Sequence, residues 1–217
     1  MKRILFVCVM LLSVMFVSAQ VAEKTFAELK NEGNAAVKAN DFVKALDLYE
    51  QAVAKLGESP VTDTMMYYNM GVFAVKAKNA DKALKYFDQT ISMNRMKVSA
   101  LLSKSDVLKS LKKDAESLKA MEDAYAIAPK DPKVKGKLAG YYVKEGSAIY
   151  AKGGAIINKA NTDLAAKKLD DAGYKAAVAA AAVEFKNALP LITKALSYDE
   201  ANATAKQLKA ACEAALK

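Results

Sequence analysis

Apolar residues in this chain recur at the spacing of one face of an α-helix. Phe42, Ala45, Leu46, Tyr49, Ala52, Val53 and Leu56 form one such stripe. Ala80, Ala83, Leu84, Phe87 and Ile91 form a second, and Leu118, Met121, Ala124 and Tyr125 a third. No stretch alternates as a half-buried strand does, so the spacing predicts helices throughout. Breaks fall where helical hairpins would turn. Asn40-Asp41, Asn79 with Asp81, and Asp114 are placed to cap the second helix of successive pairs. Asp131-Pro132 reads as a cap followed by proline in the first turn, and Ser59-Pro60 can open the second pair in the same way. These breaks cut residues 22–129 into three helix pairs. Gly33, Gly71 and Ser105 mark equivalent points; the last two lie 34 residues apart (105 − 71), and Ala139 follows at the same interval. That period is the signature of stacked helical hairpins, which offer a groove rather than an enclosed pocket.

Beyond residue 131 the period is lost. One helix is expected from near Lys133 past Ile157 to about Lys168, and another from Asp170-Asp171 through Phe185 toward Leu196. Gly146, Gly153 and Gly154 each weaken the first by about 1 kcal/mol relative to alanine. Pro190 is expected to kink the second near residues 186–189. A last amphipathic helix, over residues 201–216, would cover the open end of the stack.

These residues resemble tetratricopeptide repeats. The family pattern sets small residues at the crossing within each pair, then an alanine, an aromatic, a second alanine and a proline. Leu29, Gly33, Ala45, Tyr49 and Ala52 match in the first repeat, with Gly57 in place of the proline. Tyr67, Gly71, Ala83 and Phe87 match in the second, where Thr90 and Arg95 depart. Leu101, Ala124 and Pro129 match in the third, with Ser105, Ser117 and Met121 as substitutes of tolerable size. Ala139, Tyr142, Ala188, Ile192 and Ala195 recur in the fourth, around a long insertion. The resemblance implies an all-α, tetratricopeptide-like solenoid of helical hairpins with a lengthened last repeat and a C-terminal capping helix. Its repeats would span about 26–59, 64–97, 98–131 and 132–200, with the capping helix at 201–216. The chain also resembles small exported repeat proteins of Gram-negative bacteria.

In this family the first helices of successive pairs line a concave groove. Carried over by register, the groove would take Lys30, Asn34, Lys38, Tyr68, Asn69, Val72, Lys76, Leu102, Ser103, Asp106 and Lys109. Lysine and asparagine suit the carboxylates and backbone of an extended peptide. Some members clamp a peptide's terminal carboxylates with lysine and asparagine of the first repeat, asparagine of the second, and lysine and arginine of the third. Lys30, Asn34 and Asn69 match the first three places, but Ser99 and Ser103 stand at the last two, and Lys97 and Lys104 fall on another side of the helix. The clamp is incomplete, and asparagine at these places also bonds neighbouring helices.

Charge and composition narrow the chemistry. The 217 residues carry a net charge of +9, and Arg3 and Arg95 are the only arginines. Lysine with alanine is what solvated helix faces use, whereas arginine reads bases and forks onto phosphates. The expectation is no nucleic-acid site. An acidic peptide, an anionic glycan or an anionic membrane surface suits the charge better. The chain has no histidine, which removes Ser-His-Asp and Cys-His catalysis and the commonest zinc ligand. No cofactor, metal or catalytic residue is expected.

Residues 1–19 read as a signal peptide. Lys2 and Arg3 precede an apolar run over 4–16, broken only by Ser13, and Val17-Ser18-Ala19 offers small residues before Gln20. A retained anchor is the alternative. Cys8 lies within the run rather than after a cleavage site and is not read as a lipidation site. Residues 20–217 would then be the repeat domain, exported to the periplasm or the outer membrane, with no transmembrane span. The expected function is non-enzymatic: a scaffold holding a protein or a peptide, an acidic one where the lysines engage it. The alternative is a structural subunit or homo-oligomer packing through the alanine-rich stretch 176–182 with Val178 and Val183. Cys212, the methionines at 65, 66 and 70, and the tyrosines at 141, 142 and 150 read as packing residues. Asp170-Asp171 reads as a cap rather than a metal site, and Asn202-Ala203-Thr204 matches a glycosylation triplet.

Overall fold

The computed structural model describes residues 23–56 and 64–217, so the signal segment, Gly57 and Ser59-Pro60 lie outside the described residues. Among those described, nine helices follow one another with no strand. They are α1 (Phe26–Lys38), α2 (Phe42–Ala54), α3 (Thr64–Lys76), α4 (Ala80–Ser92), α5 (Lys97–Ser110), α6 (Asp114–Ile127), α7 (Pro132–Ala165), α8 (Asp171–Tyr198) and α9 (Ala203–Ala215). Consecutive helices pair as α1/α2, α3/α4, α5/α6 and α7/α8, and α9 closes on α8 and α7. The architecture is an all-α solenoid.

Local chemistry sets the helix starts. Thr25 caps α1 in a reciprocal box with Glu28. Asp41 accepts the Lys44 amide, Asn79 that of Lys82, Asp170 that of Gly173 and Asn202 that of Ala205. Asp131 accepts the Lys133 and Val134 amides, with Pro132 opening α7. Asp114 departs from expectation: it is the first helical residue of α6, and Lys113 holds the cap position without a side-chain bond. There the acid acts on the helix dipole from within the first turn.

The turns within the four pairs share one design. Asp41, Asn79, Lys113 and Lys168 donate their amides five residues back, to the carbonyls of Ala36, Ala74, Leu108 and Asp163. The residue before each stands in the left-handed region: Asn40, Lys78, Lys112 and Lys167, at φ 54–60°. This is a Schellman stop, whose left-handed place usually falls to glycine.

Packing within a pair rests on small residues beneath rings. A Cβ on Gly33 would lie 2.6 Å from the Tyr49 ring, and one on Gly71 2.6 Å from the Phe87 ring. In the third pair Ser105 is buried, donates to the Leu102 carbonyl at 2.7 Å, and its own carbonyl accepts Ser117 at 2.8 Å. Thr90 is likewise buried and bonded to the Tyr86 carbonyl. Two buried clusters result, one over α1–α5, reaching Ala100 and Val107, and one over α5–α9, with Leu84 and Ile91 packed against both. Cys212, Met66, Met70 and Tyr142 are core residues, while Met65 is half exposed.

The fourth pair follows another rule. α7 is continuous for 34 residues despite its glycines, and α8 continues through Pro190 for 28. Gly146 lies under Ile192, where a Cβ would fall 2.7 Å away, and Gly153 under Phe185 at 2.6 Å. Ala139, Gly146, Gly153 and Ala160, spaced every seven residues, are all buried; so are Ala181, Ala188 and Ala195 on α8. The glycines expected to weaken α7 thus allow its partner to approach, whereas a Cβ on Gly154 meets nothing.

Gly71→Ala is expected to destabilise the fold by about 2 kcal/mol, the usual cost of overpacking. Denaturant titration checks this, and Phe87→Leu added to that variant should recover part of the loss.

Candidate functional site

The first helices α3, α5 and α7 lie side by side and frame two adjoining clefts. One, of about 280 Å³, is walled by Val72, Val75, Phe87 and Val107, with Lys76, Ser103, Asp106 and Ser110 at its edge. The other, of about 470 Å³, runs over Tyr68, Ser99, Leu102, Ser103 and Asp106 to Lys133, Gly136 and Lys137. Ser103 and Asp106 belong to both. The Tyr68 hydroxyl stands 3.4 Å from Ser103 Oγ, and Lys137 holds the Asp106 carboxylate in an ion pair. Lys133 has no ion-pair partner among the described residues. The surface therefore pairs an apolar hollow with a polar, lysine-edged one.

Six expected groove residues come together here: Tyr68, Val72, Lys76, Leu102, Ser103 and Asp106. Lys30, Asn34, Lys38, Asn69 and Lys109 line neither cleft. Asn34 accepts the Tyr49 hydroxyl at 2.7 Å, tying α1 to α2. Lys30 lies 5.9 Å from the Phe26 ring, and Lys76 4.4 Å from the Phe42 ring, a closer cation–π contact. Lys38 and Lys109 are exposed in the last turns of α1 and α5, and Asn69 is half buried on α3. Lys104 pairs with Asp88 on α4, away from the clefts. Lys133, Gly136 and Lys137 had not been read as groove residues. Their places on the first two turns of α7, three and four apart on one helix face, are the signal that would have found them.

Outside the clefts, Glu50 joins α2 to α4. It accepts Lys82 at 2.7 Å and the Tyr86 hydroxyl at 2.5 Å. Burial raises the Glu50 pKa, but these two donors together outweigh it and hold the carboxyl below its ordinary value. Burial first, then the bond to Glu50, push the Tyr86 phenol well above its own. This is a structural junction. Among the described residues no group of three or more His, Cys, Asp or Glu is placed to hold a metal ion.

Known proteins share this fold. A crystal structure of a TPR repeats protein from Bacteroides fragilis superposes with a TM-score of 0.55 at 22% identity, over 88% of this chain and 99% of that one. The chain has a tetratricopeptide-like repeat fold. A MamA fragment from Desulfovibrio magneticus gives a TM-score of 0.50 at 14% identity, over 88% and 85% of the two chains. No protein-family model matches. In sequence, the chain is 32% identical over 92 residues to the photosystem I assembly protein Ycf3 of Acaryochloris marina, which is 42% of this chain and 55% of that protein. The Ycf3 of Rippkaea orientalis matches at 32% over 82 residues, 46% of its length. The chain thus spans about half the length of the curated relatives it matches.

Removing the Tyr49 hydroxyl (Tyr49→Phe) should lower stability by about 1 kcal/mol. Asn34→Ala should cost about the same and add little in the double variant, the coupling expected of a direct bond. Thermal unfolding of the four proteins in the cycle checks this; full additivity would deny Asn34 its structural role.

Proposed function

We propose that this chain is a non-enzymatic scaffold that holds an extended peptide, or an extended segment of a protein, across α3, α5 and α7. The observation that carries the reading is the pair of adjoining clefts. An apolar side chain fits the hollow at Val72 and Val107, and a neighbouring carboxylate reaches Lys133. The hydroxyls of Tyr68, Ser99 and Ser103 serve the peptide backbone. The preference for acidic segments follows from Lys133 at the cleft and from the net charge of +9. That the curated relatives are assembly proteins supports a role in holding other proteins. The apolar run over residues 4–16 behind Lys2 and Arg3 supports export, to the periplasm or the inner side of an outer membrane.

Peptides selected by display against the full chain should combine an apolar residue with an adjacent acid. Lys133→Glu should weaken them at least tenfold, as should Val72→Gln, and affinity should fall with salt. Selected peptides that lack carboxylates, or that bind both variants as tightly as the native chain, would defeat the reading.

A second reading has its own observation. On α8, Ala172, Ala176, Ala179, Ala180 and Val183 are exposed along one side, and Val178 is exposed too. Among the described residues α8 is the one helix long and apolar enough to cross a membrane, by length and composition. Such a bare face suits packing against a second copy or an envelope subunit. If so, light scattering should find an oligomer that Ala179→Glu dissociates while helicity is kept. A monomeric native chain removes the second copy from this reading.

A further inference from the structure

The floor of the larger cleft is laid out at the repeat interval. Tyr68, Leu102 and Gly136 line it from α3, α5 and α7, and they stand 34 residues apart (102 − 68 and 136 − 102). Ser99 and Lys133 keep the same step, as do Ser103 and Lys137. One position of the first helix therefore recurs three times in the cleft, each time three residues before Gly71, Ser105 or Ala139. Its side chain falls from a phenol ring to an isobutyl group to none. Tyr68 is tilted against the Phe87 ring, with centroids 5.9 Å apart, and Leu102 is buried. At Gly136 the row breaks off: the residue is exposed, and a Cβ built there would meet nothing within 4 Å.

Packing within the chain gives no reason for that glycine. An exposed glycine inside a helix weakens it relative to alanine. Gly33, Gly71 and Gly153 offset this by lying under the rings of Tyr49, Phe87 and Phe185, and Gly146 by lying under Ile192. Gly136, Gly140 and Gly154 have no such cover. Gly140 and Gly154 line neither cleft, whereas Gly136 forms part of the floor of one. It is a seat of the kind that carries rings elsewhere in the stack, with the ring missing. Lys133 and Lys137 flank it, one turn before and one residue after. Ammonium groups favour a π face over an aliphatic chain. In this fold Lys76 lies 4.4 Å from the Phe42 ring and Lys194 4.5 Å from that of Tyr142.

We propose that the ligand supplies the missing ring: an aromatic side chain of the bound peptide sits on Gly136, beside the carboxylate that reaches Lys133. This seat presupposes the peptide site described above. It narrows the partner to segments that carry an aromatic residue next to an acidic one. The test takes peptides selected by display against the full chain and measures their affinities by fluorescence anisotropy. Tight binders should carry Phe, Tyr or Trp adjacent to Asp or Glu. Exchanging that ring for leucine should weaken binding to the native chain at least fivefold. The same exchange should cost less than twofold in Gly136→Leu, which completes the row from within. Gly136→Leu should melt above the native chain yet bind the parent peptide at least tenfold more weakly. A glycine with only a structural role would not give that split. Gly154→Ala, on the same helix but away from the clefts, should melt higher and bind as the native chain does. Selected peptides that lack an aromatic residue, yet are weakened by Lys133→Glu, would overturn the seat and leave the peptide site standing. So would a ring whose loss costs the same in both chains, or a Gly136→Leu variant that binds unchanged. Failure to select any peptide removes both the seat and the site.

Discussion

The stack depends on rings seated directly on backbone. Tyr49 over Gly33 and Phe87 over Gly71 leave no room for even a methyl group between the helices of a pair. That contact fixes how closely each second helix lies on its first, and hence how far apart successive first helices stand. The clefts between α3, α5 and α7 are spaces set by this interval, since Phe87, the ring on Gly71, also forms a wall of the apolar one. Clefts made this way are pre-formed, so a peptide held there would lose less binding energy to ordering them.

Because glycine, alanine and aromatic rings do the packing, no charged side chain is buried among the described residues. The buried hydroxyls of Thr90, Ser105 and Ser117 all donate to main-chain carbonyls, so the interior leaves them no unmet demand. The lysines stay at the surface, where Lys82 joins α4 to Glu50 of α2. Some enter surface pairs such as Lys104–Asp88 and Lys119–Asp123, worth little individually. Others stand in last turns, Lys38 of α1, Lys76 of α3 and Lys109 of α5, where a cation suits the helix dipole.

Where the determinants were local, the sequence was readable. Asp41, Asn79, Asp131 and Asp170 each bond an amide two or three residues on, so type and position were enough to find them. Asp114 misled because an acid is equally at home one place inside the helix, and Asn202 was hidden by a motif of another meaning. The cleft was half legible. Tyr68, Val72 and Ser103 followed from repeat register, whereas Lys133 and Lys137 were not carried into the groove although the register made their helix the first of the fourth pair. Asn34 was correctly placed on α1, yet only the side-chain geometry reveals that Tyr49 occupies its oxygen.

The lengthened hairpin shows why a repeat pattern stops being a guide. Ala139 keeps the 34-residue interval, but the residue seated beneath Ile192, as Gly71 is beneath Phe87, is Gly146, seven positions later. The following contact, Phe185 on Gly153, is displaced by seven on both helices. A seven-residue step is close to two helical turns, so antiparallel helices can repeat one contact at that interval for as long as small residues recur. Ala139, Gly146, Gly153 and Ala160 meet that condition, and Ala181, Ala188 and Ala195 do so from the other side. The 34-residue rule of the stack thus gives way to a seven-residue rule within one pair. Such a pair can grow without a neighbouring repeat, because its own seam supplies the burial that a further hairpin would have given. The same growth leaves the outer side of α8 uncovered, so its exposed alanines and Val183 follow from the seam rather than from a missing repeat.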